Sequence, residues 1–203
     1  MASLPIFGQV ESLEGKGIEK VEGANYASYF VGDANKKLYS VGRGDYGGLG
    51  ITLDQPETEF CVSTPHRVPL VYDIDTQGDI SEPTQNCIVE AKIDEDEQPE
   101  IEQVAAGDSH VIVITKQGDV YSWGFGENGQ CGQNKRDSSD KDADITLPQK
   151  MNLTMKKVTY KVMYASGGAQ HSAFIINSTD SSEYSSGDDQ SADLLSSGMD
   201  ELD

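Results

Sequence analysis

Two histidines stand at matching places in the sequence, and their spacing from a glycine is its most distinctive chemical feature. His110 follows Gly107 by three residues, and His171 follows Gly168 by three residues. An imidazole in such a place can contact a partner or tie neighbouring parts of the fold together. For His110 the sequence favours a structural role, in which the imidazole ties neighbouring parts of the fold together. For His171 it leaves open both this role and contact with a partner. Neither histidine belongs to a Ser/His/Asp or Cys/His set on a recognisable scaffold, so an enzyme has little support.

The cysteines and the glycine-rich runs do not form a recognisable site. Cys61, Cys87 and Cys131 have a spacing that matches no zinc or redox motif, and their odd number argues against a complete disulfide framework. This usage indicates a reducing compartment, the cytosol or the nucleus. The run GRGDYGGLG follows a strand and opens no helix, so it lacks the context of a phosphate-binding loop. We therefore expect no metal site, no cofactor and no catalytic residue.

Acidic residues dominate the charge of the chain. The formal net charge is −20, so direct binding to nucleic acid, which depends on clustered lysine and arginine, is not expected. A basic protein partner would be attracted. The alternative is that the acidic residues are solvated and only keep the chain soluble. We expect no membrane association, because no run is apolar for long enough to span a bilayer, and the N-terminus does not resemble a signal peptide.

Two different motifs recur in the same order along the chain. LYSVGRGDYGGLG (Leu38–Gly50) aligns with VYSWGFGENGQCG (Val120–Gly132) at an offset of 82 residues. VAAGDSHVIVIT (Val104–Thr115) aligns with YASGGAQHSAFII (Tyr164–Ile176), which places His171 at an offset of 61 residues from His110. Such self-similarity indicates a repeat architecture.

The repeated segments predict short strands joined by glycine turns. HVIVIT is β-branched, Gly118 suits a hairpin turn, and VYSWG alternates its side chains between two faces. We predict strands near 3–10, 18–23, 27–32, 37–42, 66–71, 101–107, 110–115, 119–124, 145–151 and 161–166, with a further candidate at 171–177. A propeller blade uses four strands, so this number supplies two to three blades.

The predicted organisation follows from these repeats. It comprises the end of a preceding blade (1–16), a first repeat (17–72), an acidic insert (73–100), a second repeat (101–160), the last strands of a closing repeat (161–177) and an acidic tail (178–203). The insert and the tail have compositions typical of disorder. Serines beside acidic residues in the tail are candidates for an acid-directed kinase. The expected fold class is therefore all-β, a partial β-propeller with a disordered acidic insert and tail.

The Gly-x-x-His step, the VYSWG strand and the GENGQCG loop resemble the regulator of chromosome condensation repeat family. The resemblance covers roughly residues 17–70 and 101–177. It implies about two to three blades of a seven-bladed ring, with structural roles for the repeat glycines and aromatic residues, which are Gly42, Gly107, Gly124, Gly168, Tyr39, Tyr121 and Trp123.

The resemblance also implies a function. One member of the family is a guanine nucleotide exchange factor for the small GTPase Ran, and by this likeness the chain would be a fragment of such a factor, located in the nucleus or the cytoplasm, with the nucleus favoured. The GTPase-facing candidates are His171, Gln170, His110 and Asp108. Exchange needs no bond-making residue, because preference for the nucleotide-free GTPase drives it. The alternative is a non-catalytic propeller module that binds another protein or the remaining blades.

Overall fold

The structure is a computed structural model that describes residues 9–51, 61–71, 73–74, 91–92, 98–133, 144–155, 158–178 and 194–196. Within these ranges the chain is all-β, with two short 3-10 turns (Glu11–Leu13 and Asp45–Gly47) and no α-helix. No helix of the described part could cross a membrane. The strand predicted near 3–10 falls mostly outside the described residues, and residues 9 and 10 are not in a strand.

The first sheet is antiparallel and follows chain order. It contains β1 (Lys20–Gly23), β2 (Ala27–Gly32), β3 (Lys37–Arg43) and β4 (Cys61–Val68). The fourth strand was predicted at 66–71, but β4 begins earlier and ends at Val68. Pro69 follows directly and has no N–H with which to continue the ladder, whereas Pro65 is tolerated because β4 is an edge strand.

The region predicted as an acidic insert contains a short two-stranded antiparallel sheet. Within the predicted insert, β5 (Asp73–Ile74) pairs antiparallel with β6 (Ala91–Lys92). Most of the insert, and most of the tail predicted for 178–203, lie outside the described residues. The described part therefore adds one two-stranded pairing to the prediction for this region.

The second sheet repeats the pattern of the first. It contains β7 (Ile101–Ala106), β8 (His110–Thr115), β9 (Val120–Gly124) and β10 (Ile145–Lys150), with the four predicted strands confirmed. Every residue of β8 and β9 is buried. These two strands are covered on both faces, which explains why their apolar residues do not alternate with exposed polar ones. Pro148 lies in the outer strand β10, as predicted.

The third sheet contains β11 (Thr154–Met155), β12 (Val158–Gly167), β13 (Ser172–Ser178) and β14 (Leu194–Ser196), in that spatial order. The strands near 161–166 and 171–177 are confirmed as β12 and β13. The short strands β11 and β14 were not predicted. β14 uses the apolar pair Leu194–Leu195 within a run rich in Ser and Asp, and it pairs with β13.

The three sheets pack face to face around two cores. The first core joins the first and second sheets and includes Tyr29, Leu38, Val111 and Trp123. The second core joins the second and third sheets through residues that include Ile112, Val120, Val162 and Ala165. Equivalent strands of successive sheets are neighbours: β1 lies beside β7, and β7 lies beside β12, the second strand of its sheet. Four-stranded sheets that follow one another in this way are blades, and the fold is a partial β-propeller with three of them.

Candidate functional site

The same turn precedes β2, β8 and β13, one strand in each blade. The backbone N–H groups of Ala24, Gly107 and Gly168 each donate to the carbonyl of the third residue onward at 2.9 Å. Ala27, His110 and His171 therefore occupy one structural position in three blades. The first repeat has no histidine in this turn, and the structure identifies Ala27 as the residue that stands in its place.

His110 forms a buried connection between the second and third blades. Its side chain is 1% exposed, and its Nε2 lies 2.9 Å from Ser172 Oγ. Ser172 Oγ donates its own hydrogen to the carbonyl of Gln130 at 2.7 Å, so it must accept from Nε2–H of His110. Burial lowers the pKa of His110 to about 4, with a smaller contribution from His171. His110 is thus neutral at physiological pH, and its geometry matches the structural interpretation.

The histidine ring explains the glycine that precedes it. A Cβ at Gly107 would lie 2.2 Å from His110 Cε1, and a Cβ at Gly168 would lie 2.2 Å from His171 Cε1. The ring occupies the volume that a side chain would need. In the first blade neither constraint applies, because Ala27 has no ring and Ala24 can carry a methyl group. Gly107 also approaches the next blade closely, since its Cβ would lie 2.3 Å from the carbonyl oxygen of Gly168.

The other predicted GTPase-facing residues are on the surface. Gln170, His171 and Asp108 are exposed on the turns before β13 and β8. The backbone N–H of Asp108 donates to the carbonyl of Gly168 at 3.2 Å, which joins these two turns. The structure therefore brings three of the four candidates together at the surface and places the fourth, His110, in the interior.

The two glycine-rich loops have matching conformations. Ser40 Oγ donates to the carbonyl of Leu49 at 2.8 Å, and Ser122 Oγ donates to that of Cys131 at 2.6 Å. Gly42 and Gly124 precede the loops in the left-handed region, with φ of 118° and 104°. A Cβ at Gly42 would lie 2.4 Å from the carbonyl of Tyr26, so the loop can begin only at a glycine.

These loops and the turns lie on one side of the blades. Arg43 N–H donates to Tyr26 O at 2.9 Å, and Phe125 N–H donates to Ser109 O at 2.8 Å. Each glycine-rich loop is therefore attached to the turn of its own blade. We name this surface the loop face. It consists of the turns 25–26, 108–109 and 169–171 with the loops 43–47 and 125–129.

An aromatic cluster on the loop face was not predicted from the sequence. Tyr46 adopts a left-handed conformation, with φ of 56°, and its side chain is 51% exposed. Its ring meets the ring of Phe125 edge to face, with centroids 5.0 Å apart. The guanidinium of Arg43 lies 5.1 Å from the ring centroid of Tyr26 and contacts Asp45 at 2.6 Å. A left-handed tyrosine costs about 1–3 kcal/mol, and such strain concentrates at functional sites.

The alignment of the two repeats contained a signal that could have revealed this cluster. Tyr46 aligns with Asn128, and Tyr26 aligns with Ser109. Aromatic side chains therefore stand at turn positions where the second blade has small polar ones. Asn128 is not in the left-handed region, so the strain at Tyr46 could not be read from its counterpart.

The described residues contain no metal site, and one of their two free cysteines, Cys131, is buried. No set of three or more His, Cys, Asp or Glu among them could hold a metal ion. Cys131 is buried, and burial raises the pKa of its thiol to about 12, so it stays protonated at neutral pH. What this face offers is contact surface: aromatic rings, an arginine and carboxylates.

Three stacked blades, two of which carry matching glycine loops, define a β-propeller repeat protein. A family model described as "Regulator of chromosome condensation (RCC1) repeat" matches residues 117–175. Residues 117–175 therefore contain a repeat of this family.

The proteins that the chain resembles have different names. The chain is 28% identical to the serine/threonine-protein kinase Nek9 of Xenopus laevis over 79% of the chain and 13% of the kinase. It is 27% identical to the ultraviolet-B receptor UVR8 of Arabidopsis thaliana over 85% of the chain and 30% of the receptor. The solved structure of Prp20p from Saccharomyces cerevisiae matches with a TM-score of 0.54 and 20% identity, over 79% of the chain and 32% of Prp20p.

The chain thus spans less than a third of the length of each of these proteins. The likeness to Prp20p shows the fold alone. The activity of a whole relative therefore bears on this chain only as a proposal.

Proposed function

We propose that this chain is a protein-binding propeller module and that its partner docks on the loop face. The observation that carries the proposal is the exposed aromatic cluster, in which Tyr46 is held in a strained conformation against Phe125 of the next blade. Tyrosine and arginine are enriched at the energetic centres of protein interfaces. Arg43 and Tyr26 continue the same surface.

The charge of the loop face favours a basic partner surface. Asp45, Asp108 and Glu127 lie on the loops and turns that form it, and the whole chain carries a net charge of −20. A field of this sign accelerates encounter with a positively charged partner. The affinity should therefore fall as the salt concentration rises.

A Ran-type small GTPase is the partner we propose by family likeness. The solved structure of Prp20p is described together with its binding properties to Gsp1p and histones, and this statement concerns Prp20p. By the same likeness we propose a nuclear location for this chain.

A binding titration with a nucleotide-free Ran-type GTPase tests the module. We expect Tyr46→Ala to weaken binding about tenfold, which corresponds to the loss of one interface anchor. Tyr164→Ala is the matched control, because Tyr164 is similarly exposed, at 55%, but lies on β12 away from the loop face. Equal losses for the two variants, or no binding by the unaltered chain, would remove the GTPase from the proposal.

Nucleotide exchange is the second candidate, and the exposed pair Gln170 and His171 favours it. Both lie on a loop-face turn, where they could disturb the nucleotide site of a bound GTPase. The test is the release of a labelled guanine nucleotide from the GTPase. His171→Ala should slow the release, and His66→Ala, which alters an exposed histidine of β4, should not. Binding without accelerated release would favour the non-catalytic module.

A further inference from the structure

The two interfaces between blades are built from the same positions. β1 pairs with β2, β7 with β8 and β12 with β13 in the same way, since the register pairs are Gly23 with Ser28, Ala106 with Val111, and Gly167 with Ser172. Each blade can therefore be compared with the others residue by residue. Every blade has a back face, which meets the preceding blade, and a forward face, which meets the following one.

On the back face, the first blade exposes what the other blades bury. Val104 is 8% exposed and Ala165 is 1% exposed, because each packs against the blade before it. Val21 occupies the same position in the first blade and is 63% exposed. The residue after the histidine position is Ser172 in the third blade, which receives His110, and it is Ser28 in the first.

On the forward face, the third blade exposes what the second blade buries. Ile114 contributes to the second core, whereas Ile175, at the same position, is 46% exposed. Gln103 bonds to both the N–H and the carbonyl of Ala165 in the next blade, at 3.1 and 2.7 Å. Tyr164 occupies the Gln103 position and is 55% exposed.

His171 makes the forward face of the third blade complementary to the back face of the first blade. Its ring lies over Gly168 as the ring of His110 lies over Gly107. At the second interface this arrangement directs the imidazole to the hydroxyl of Ser172 on the next blade. The back face of the first blade presents a hydroxyl at that position, in Ser28, and an apolar side chain opposite Tyr164, in Val21.

We propose that the forward face of the third blade binds the back face of the first blade of a second copy of this chain. His171 of one copy then donates to Ser28 of the other, and Tyr164 packs on Val21. The contact is confined to the inner strands, because Lys16 already lies over the ring of Tyr39 on the outer part of the back face. The association is head-to-tail, so each copy uses two different surfaces. It covers His171 at the edge of the loop face and leaves the rest of that face exposed.

The charge of the chain sets the salt dependence of this association. Two copies that each carry a net charge of −20 repel one another, and salt screens this repulsion. Self-association should therefore strengthen as salt is added. Binding of a basic partner to the loop face should weaken, so the two surfaces can be told apart.

Sedimentation velocity of the full chain, over a concentration series, tests the proposal with two complementary variants. Val21→Asp places a charge on the back face of the first blade, and Tyr164→Asp places one on the forward face of the third blade. Each variant alone should therefore be monomeric. Mixed together, they retain one intact face of each kind and should form a dimer that grows no further. Both side chains are exposed in the single chain, so unchanged thermal unfolding of the monomers checks that folding is intact.

A second measurement examines the histidine contact. His171→Ala and Ser28→Ala should each weaken self-association about tenfold, and the double variant should be no weaker than either single variant, because both changes remove one hydrogen bond. A wild-type chain that stays monomeric at high micromolar concentration overturns the proposal. So does association of wild type without association of the mixed variants, or capture of a different propeller chain in place of a second copy.

Discussion

At the scale of single residues, the imidazole of His110 constrains three other positions. Gly107 must lack a Cβ because the ring lies where it would be. Ser172 supplies the acceptor for Nε2, and the carbonyl of Gln130 fixes the direction of the serine hydroxyl. One buried polar contact therefore explains why a glycine, a serine and a loop carbonyl are found together at this interface.

The neutral state of His110 makes the stability of the fold depend on pH. Burial lowers the pKa of His110 from 6.5 to about 4, so the unfolded chain binds this proton more tightly than the folded chain. The contribution of His110 to the free energy of unfolding is therefore fully present above pH 6.5 and is lost as the pH falls from 6.5 towards 4. Urea unfolding across this range measures it.

Two variants separate this effect from the titration of carboxylates. His110→Gln removes the imidazole, so the difference in stability between wild type and this variant should become smaller at lower pH. His66→Gln alters an exposed histidine and should retain the wild-type profile. Parallel curves for wild type and His110→Gln at every pH would contradict the assignment.

At the scale of elements, the turn that precedes β2, β8 and β13 exists in two compatible forms. The second and third blades use glycine followed by histidine, and the first uses Ala24 followed by Ala27. The second form suits its interface, because Ala27 and the residue that faces it from the next blade, Val111, belong to one apolar core. The residue in the turn therefore matches the residue that it meets on the next blade. His110 meets the polar Ser172, and Ala27 meets the apolar Val111.

Gly107→Ala tests the steric part of this matching. The new methyl group would meet the His110 ring and the carbonyl of Gly168, so we expect a loss of about 2 kcal/mol or more in the free energy of unfolding. Gly23→Ala is the control, since nothing lies within 4 Å of a Cβ there. Adding His110→Ala to Gly107→Ala should cost less than His110→Ala costs in the wild type, because the ring no longer clashes. Equal costs in the two backgrounds would contradict the steric explanation.

One carbonyl links the first two blades and offers a second test. Gly48 O accepts from Tyr29 Oη at 2.6 Å and from Trp123 Nε1 at 2.9 Å, within the first core. Tyr29→Phe should cost about 1 kcal/mol, because Trp123 still satisfies the carbonyl. In a Trp123→Phe background the same change leaves a buried acceptor without either donor and should cost more. Chemical unfolding of the four chains gives the coupling energy, and strict additivity would show that the two donors act independently.

Much of this architecture could be predicted from the sequence, because strands and glycine loops are encoded locally. The segments Leu38–Gly50 and Val120–Gly132 align in sequence, and they share the serine hydrogen bond and the left-handed glycines at matching positions. A structural role for His110 could be predicted, but the partners in the contacts between blades could not. His110 meets Ser172, which is 62 residues away, and only packing brings them together. The strained Tyr46 was also hidden, because its counterpart Asn128 does not adopt a left-handed conformation.

At the scale of the whole molecule, stability in a stack of blades is expected to be graded. In repeat architectures each unit is stabilised by its neighbours. The second blade has a neighbour on both faces, and all residues of β8 and β9 are buried. The third blade has one described neighbour and exposes Tyr164 and Ile175 on its other face.

Native-state hydrogen exchange should reveal this gradient. The slowest amides should lie in β8 and β9, and those of β13 should exchange faster, because the third blade can detach while the other two remain packed around Trp123. His110→Ala breaks the polar contact between the second and third blades, so it should accelerate exchange in β12 and β13 more than in β2 and β3. The measurement is made at low protein concentration, where copies do not cover the open faces. Equal acceleration in all three blades would mean that they unfold as a single cooperative unit, in which case the contacts of His110 stabilise the whole propeller fragment and not one interface.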